Sequence, residues 1–285
     1  MGKELYDSSP AAKEVYEKAN EALGLDIAKL CFEGPEQELT LTKNSQPAIL
    51  VTSIAALRVF KSARKDISPS ACAGLSLGEY SALVASDSIP FEDAVRLVRQ
   101  RGSFMEEASL ENPGTMAAII GLEVKAVEEI ARENGSGVAN LNCPGQVIVS
   151  GRNDAVEKTV RMAKAKGAAK CIPLKVSGPF HSHLMDKASA LLRDALKDIA
   201  VKNPVIPFVG NVTADYETDP HLIKENLALQ INNRTLWEAS IRRIARDGVT
   251  EFYEVGPGNV LKGLLRKIDR NLKVHNVEKP SDISS

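Results

Sequence analysis

Apolar positions recur with a helical period in some stretches of this chain and with a period near two in others. The two patterns follow one another from end to end, which predicts an α/β architecture. Ser9-Pro10 is a cap followed by a first-turn proline, and the helix it opens runs to Gly24, a natural stop. Ser45-Gln46-Pro47 opens a second helix with an apolar stripe of Ile49, Leu50, Ile54, Leu57 and Phe60. Pro69 to Ala73 reads as a short buried strand and Glu79 to Ala85 as a helix. Pro90 with Glu92 and Asp93 starts another helix, which carries Arg96, Arg99 and Arg101 to a stop at Gly102.

The middle of the chain changes character. Thr115 to Gly121 reads as a strand, Val124 to Glu133 as a helix, and Val138 to Asn142 and Gln146 to Ser150 as strands joined by Cys143-Pro144-Gly145. A helix over Asp154 to Lys166, ended by Gly167, and a strand over Lys170 to Val176 complete the order β-α-β-β-α-β. That order predicts a ferredoxin-like small subdomain over 113–177, inserted in a large α/β subdomain made of 1–112 and 178–285. In the second part of the large subdomain, Val205 to Val209, Thr250 to Val255 and Leu272 to Val277 read as strands. Helices are expected near Leu222–Leu229, over Leu236–Ala245, and from Gly256-Pro257-Gly258 to about Ile268.

Composition narrows the function classes. At 285 residues the chain can bury a sizeable core. Lys and Arg total 36 against 37 Asp and Glu, a net charge of −1 that argues against nucleic acid as a main partner. No apolar run reaches the ~18 residues of a membrane span, and the acidic, apolar-poor start does not read as a secretory leader. Cys31, Cys72, Cys143 and Cys171 are far apart and form no C-x-x-C, the usage of a reducing, cytoplasm-like compartment or an organelle stroma or matrix.

Gly74-Leu75-Ser76-Leu77-Gly78 is the motif that carries chemistry. A G-x-S-x-G run between a strand and a helix presents a serine hydroxyl at the end of a parallel sheet, poised to attack an ester or thioester, as in α/β hydrolases. The tight turn calls for flanking residues without a Cβ, and the following helix turns its N-terminal N–H groups toward a developing oxyanion. The serine needs a base, and there are four histidines. His275 falls in a strand and His221 beside Asp219-Pro220, both positions that suit solvent. His181 and His183 sit where the chain leaves the small subdomain. An H-x-H pair is compatible with metal, but no third ligand lies nearby; a general base is the better reading, and no metal is expected.

Six segments in order resemble the malonyl-CoA:acyl-carrier-protein transacylase family: Gly74 to Leu83, Gln100 to Met105, Asn140 to Gly151, Val176 to Ser182, Gln230 with Trp237, and Glu254 to Gly258. The resemblance spans nearly the whole chain. It implies a ping-pong transfer of malonyl from malonyl-CoA to acyl carrier protein through an ester on Ser76, with no cofactor, by a protein read as a monomer. His181 matches the family's general base, and Gln230 the glutamine whose backbone carbonyl orients it. Arg101 matches the arginine that grips the substrate carboxylate. Leu77 matches the residue whose N–H serves the oxyanion, and Asn142 lies at a turn facing the cleft. A guanidinium makes two parallel bonds to a carboxylate, which an acetyl group cannot use. The acidic carrier protein implies a basic docking face, for which Arg58, Lys61, Arg64 and Lys65, or Lys262, Arg266, Lys267 and Arg270, are candidates.

Two departures accompany the resemblance. Leu75 stands where many members carry histidine, and the G-Q-G-x-Q segment that supplies a second oxyanion donor is absent from these residues. Two alternatives therefore stay open: a serine thioesterase or esterase using His275 as a late base, and a catalytically impaired module that binds carrier protein.

Overall fold

The structure, a computed structural model, describes residues 1–283. Its strands are β1 (Cys72–Ala73), β2 (Gly114–Ile120), β3 (Gly137–Cys143), β4 (Gln146–Arg152), β5 (Lys170–Pro173), β6 (Phe208–Val209), β7 (Tyr216–Glu217), β8 (Glu251–Val255) and β9 (Lys273–Val277). They form three sheets. β1 pairs parallel with β6, which pairs antiparallel with β7; β8 and β9 pair parallel in a separate sheet. The parallel pairing expected of the large subdomain is thus present in two pieces, with one antiparallel addition. No helix of the described residues is long and apolar enough to cross a membrane.

The four-stranded sheet runs in the order β3-β4-β2-β5, antiparallel throughout, with the Val124–Glu133 and Asn153–Ala165 helices as its crossovers. That is the strand order of a ferredoxin-like unit. Its own core is Ala117, Ile119, Val147 and Val149 from alternate strand positions, against Val127, Ile130 and Val156 from the helices. β3 continues across to the large unit: Thr235 accepts from the Leu141 N–H (2.9 Å) and donates to the Ala139 carbonyl (2.9 Å). Asn142 does not lie in a turn. It is the extra residue of a bulge between Leu141 and Cys143, because β3 gains a residue over β4 as it bends toward Thr235.

The larger core packs the helices Pro10–Leu23, Thr42–Ala63, Gly78–Ala85, Phe91–Glu111 and Asp186–Leu196 around one another. Leu50, Ile54, Leu97 and Val98 are buried there, each contributing about 1.5–3 kcal/mol by leaving water. Two helix boundaries differ from expectation. The second helix begins at Thr42 rather than at Ser45, so Pro47 lies inside it, and Ile49 faces outward while Val51 and Ala55 join Leu50 and Ile54 inside. Gly102 does not end its helix, which continues to Glu111. A Cβ on Gly102 would lie 2.6 Å from Thr42 O and from Lys43 Cα. The glycine lets the two long helices touch.

Candidate active site

Ser76 follows β1 and precedes the Gly78–Ala85 helix, in the left-handed region at φ 51°. Holding a serine there stores about 1–3 kcal/mol of strain. A Cβ on Gly74 would lie 2.0 Å from the Gly78 backbone, so this glycine is required by the close approach of strand and helix. Gly78 is different: a Cβ there would meet open space, and the steric demand falls on one flank only.

His181 is also in the left-handed region, at φ 57°, with its N–H donating to Ile231 O (3.0 Å). Its Nδ1–H donates to the backbone carbonyl of Gln230 (2.7 Å), which leaves the unprotonated Nε2 to accept from Ser76 Oγ (3.1 Å). Burial and the positive charge of Arg101 hold the imidazole down at about 4, so it is neutral and able to accept a proton at pH 7. Histidine ring signals of the free protein followed by NMR should therefore show His181 titrating near pH 4. A midpoint close to the ordinary 6.5 would contradict that environment.

Arg101 is 1 % exposed, the largest of the fully buried side chains. One Nη donates to Gln46 Oε1 (2.5 Å); the other donates to Gln230 Oε1 (2.8 Å) and to Ser76 Oγ (3.1 Å). The guanidinium carbon lies 5.6 Å from the centre of the Tyr80 ring. Its Nε is buried without a partner, and every acceptor bonded to it is neutral. A buried guanidinium in that state lacks a directly bonded anion.

Gln230 ends the Pro220–Gln230 helix and is wholly buried. Its carbonyl orients His181 while its side chain orients Arg101. The Leu77 N–H, at the start of the Gly78–Ala85 helix, bonds to no other described residue. Asn142 is half-buried, with its Oδ1 unpartnered, and bonds to none of these side chains.

The other histidines lie apart. His275 is exposed on β9, stacked on Tyr253 and bonded to Glu251 (2.9 Å); His183 and His221 are exposed. The late-base arrangement is thereby corrected: the imidazole at the serine is His181. No His, Cys, Asp and Glu cluster among the described residues has metal-binding geometry.

Three polar side chains join the site without having been singled out from sequence. Gln46 holds Arg101. Asn211 accepts from the Ser76 N–H (2.7 Å) and donates to Gly74 O (2.7 Å). Glu79 accepts from the Asn211 N–H (2.5 Å) and from the Gln230 amide. The available signal was polarity inside apolar runs, Gln46 before Pro47-Ala48-Ile49-Leu50-Val51 and Glu79 before Tyr80.

Known proteins share this arrangement of chain. The family described as the acyl transferase domain matches residues 1–279. The malonyl CoA-acyl carrier protein transacylase of Bacillus subtilis strain 168 is 47 % identical over 288 residues, covering 99 % of this chain and 90 % of the relative. That of Escherichia coli K12 is 42 % identical over 282 residues, covering 98 % and 91 %. Among solved structures, the acyl-carrier-protein-S-malonyltransferase of Bartonella henselae superposes with a TM-score of 0.95 at 38 % identity, covering 100 % of this chain and 92 % of that one. A malonyl-transacylase in complex with a type II PKS acyl-carrier protein superposes at 0.96 with 37 % identity, covering 100 % and 93 %. A serine, a histidine and an arginine meeting at one oxygen, on a fold matched over nearly its whole length, place this chain in the acyl transferase family.

Proposed function

We propose that the protein transfers malonyl from malonyl-CoA to the phosphopantetheine thiol of acyl carrier protein, feeding fatty acid synthesis, with Ser76 as the carrier. The observation that carries this reading is the double contact on Ser76 Oγ, with a proton acceptor and a buried cation each 3.1 Å away. The named relatives support the substrate pair.

His181 Nε2 takes the hydroxyl proton as Ser76 Oγ bonds to the thioester carbonyl carbon. The carbonyl oxygen becomes an oxyanion facing the Leu77 N–H and the positive end of the following helix. Collapse breaks the carbon–sulfur bond, and the coenzyme A thiolate leaves with the proton from His181. The carrier thiol then gives its proton to His181 and attacks the malonyl ester carbon; the bond to Ser76 Oγ breaks, and His181 returns the proton to that oxygen. Arg101 receives the malonyl carboxylate throughout. No cofactor or metal enters any of these steps. The small unit over 113–177 is read as one wall of the substrate cleft and Asn142, whose Oδ1 is buried without a partner, as a residue on it. The protein is read as a cytoplasmic monomer, with the basic faces around Lys61 or Arg266 as docking candidates for the acidic carrier.

The test is direct. After mixing with labelled malonyl-CoA, peptide mapping should find one malonyl ester, at Ser76, which carrier protein discharges. A folded protein that forms no such ester, or hydrolyses it faster than it transfers it, would overturn the reading. Steep loss of carrier turnover with salt is expected for charge-guided docking, with the coenzyme A half-reaction less affected.

A further inference from the structure

Behind the reacting groups lies a closed loop of hydrogen bonds that none of their roles requires. The Ser76 N–H donates to Asn211 Oδ1 (2.7 Å), and the Asn211 N–H donates to Glu79 Oε1 (2.5 Å). Glu79 Oε2 accepts from Gln230 Nε2, which also donates to the Ser76 carbonyl (2.8 Å). The loop thus leaves the nucleophile by its N–H and returns by its C=O. It is sealed from water: Glu79 is 3 % exposed, and Asn211 and Gln230 are 0 % exposed. Asn211 Nδ2 adds a bond to Gly74 O (2.7 Å), so one side chain spans both sides of the turn.

We propose that Glu79 and Asn211 are positioning residues that hold Ser76 in its left-handed conformation and fix which end of the Gln230 amide faces Arg101. The inference rests on Ser76 being the nucleophile. Each residue type follows from its bonds. Position 211 must accept at Ser76 and donate at Gly74; an amide does both, whereas a carboxylate would set an anion against a carbonyl. Position 79 must accept at both oxygens, which an ionised carboxylate does; a proton on either oxygen would have no acceptor. Burial, joined by the Glu217 charge, pushes the Glu79 carboxyl up to about 8 against the Asn211 N–H, the Gln230 amide and the Arg101 charge; it is the donors aimed at both of its oxygens that select the carboxylate here. With a carboxylate at 79, the Gln230 amide has one satisfactory orientation: nitrogen toward Glu79 and the Ser76 carbonyl, oxygen toward Arg101. Turned over, it would set N–H against N–H at Arg101 and oxygen against oxygen at both other contacts.

The matching substitutions are isosteric, Glu79→Gln and Asn211→Asp. Single-turnover formation of the malonyl enzyme and its reaction with a fluorophosphonate, which lacks a malonyl carboxylate, are measured on wild type and both variants. Asn211→Asp is expected to slow both reactions by about 10- to 100-fold, with KM for malonyl-CoA within twofold, because the elbow is disturbed and the carboxylate site is not. Glu79→Gln is expected to lose a similar factor with malonyl-CoA and less with the fluorophosphonate. Wild-type rates within threefold in both variants would overturn the proposal. If Glu79→Gln fails to fold, Asn211→Asp decides the matter by the same two rates. Absence of a malonyl enzyme in the wild type would instead refute the assignment of Ser76.

Discussion

Replacing His181 by alanine is expected to slow malonyl transfer by about 10²–10⁴-fold, while His275→Ala stays within twofold of wild type. The asymmetry follows from geometry. His181 Nε2 is the acceptor at Ser76 Oγ, and its other nitrogen is fixed by the Gln230 carbonyl, so alanine removes both the base and its orientation. His275 is exposed on β9 and bonded to Glu251, an arrangement that exchanges readily with water. Ser76→Ala sets the floor, since it removes the atom that carries the acyl group. His181→Ala should lie close to that floor, because residues acting as one unit do not lose activity additively. Stopped-flow release of coenzyme A reads acylation apart from transfer. Comparable loss in both half-reactions is expected, since the same nitrogen takes the proton from serine and then from the carrier thiol. A His275→Ala variant as impaired as His181→Ala would return the late-base hydrolase to consideration.

The residues that meet at Ser76 Oγ were legible in sequence for different reasons. Ser76 stands in a short motif whose spacing reflects its local backbone. Nothing in local periodicity marks His181 or Arg101, which tertiary packing brings to the serine; elimination among four histidines narrowed the base to His181 or His183, and the family resemblance singled out His181 and Arg101. The element order of the middle segment was legible, because its apolar strand runs are bounded by glycine-bearing loops, although its last strand ends at Pro173 rather than Val176. Helix ends were less so. Gly102 has the identity of a stop, but its missing Cβ serves a helix crossing instead, and only a neighbour in space distinguishes those uses. Gln46, Glu79 and Asn211 were missed for a related reason. A buried polar residue is defined by its partners, and each of these bonds to a segment at least 55 residues away in sequence. One of them, Glu79, also offers a counter-charge to a cation that is itself short of anionic partners.

Removing the charge at position 101 should cost malonyl-CoA about 30- to 3,000-fold in kcat/KM and leave acetyl-CoA little changed, so that the preference between them collapses. In the free protein Arg101 bonds to neutral oxygens of Gln46, Gln230 and Ser76, and its Nε has no partner. A malonyl carboxylate would give the guanidinium a directly bonded anion through two parallel N–H···O bonds, which an acetyl group cannot do. Arg101→Met is the informative substitution, because methionine fills much of the same volume and admits less water than alanine would. Arg101→Lys separates charge from shape: it keeps the cation but not the paired donors, so it should recover binding of malonyl-CoA only in part. Stability sharpens the comparison. Methionine relieves the desolvation of a buried cation but strands the Gln46 and Gln230 acceptors, so the two effects oppose and the unfolding midpoint should shift little. A malonyl-to-acetyl ratio unchanged in folded Arg101→Met would mean that the substrate carboxylate is bound elsewhere, and that the buried guanidinium serves only to brace Gln230 against Ser76.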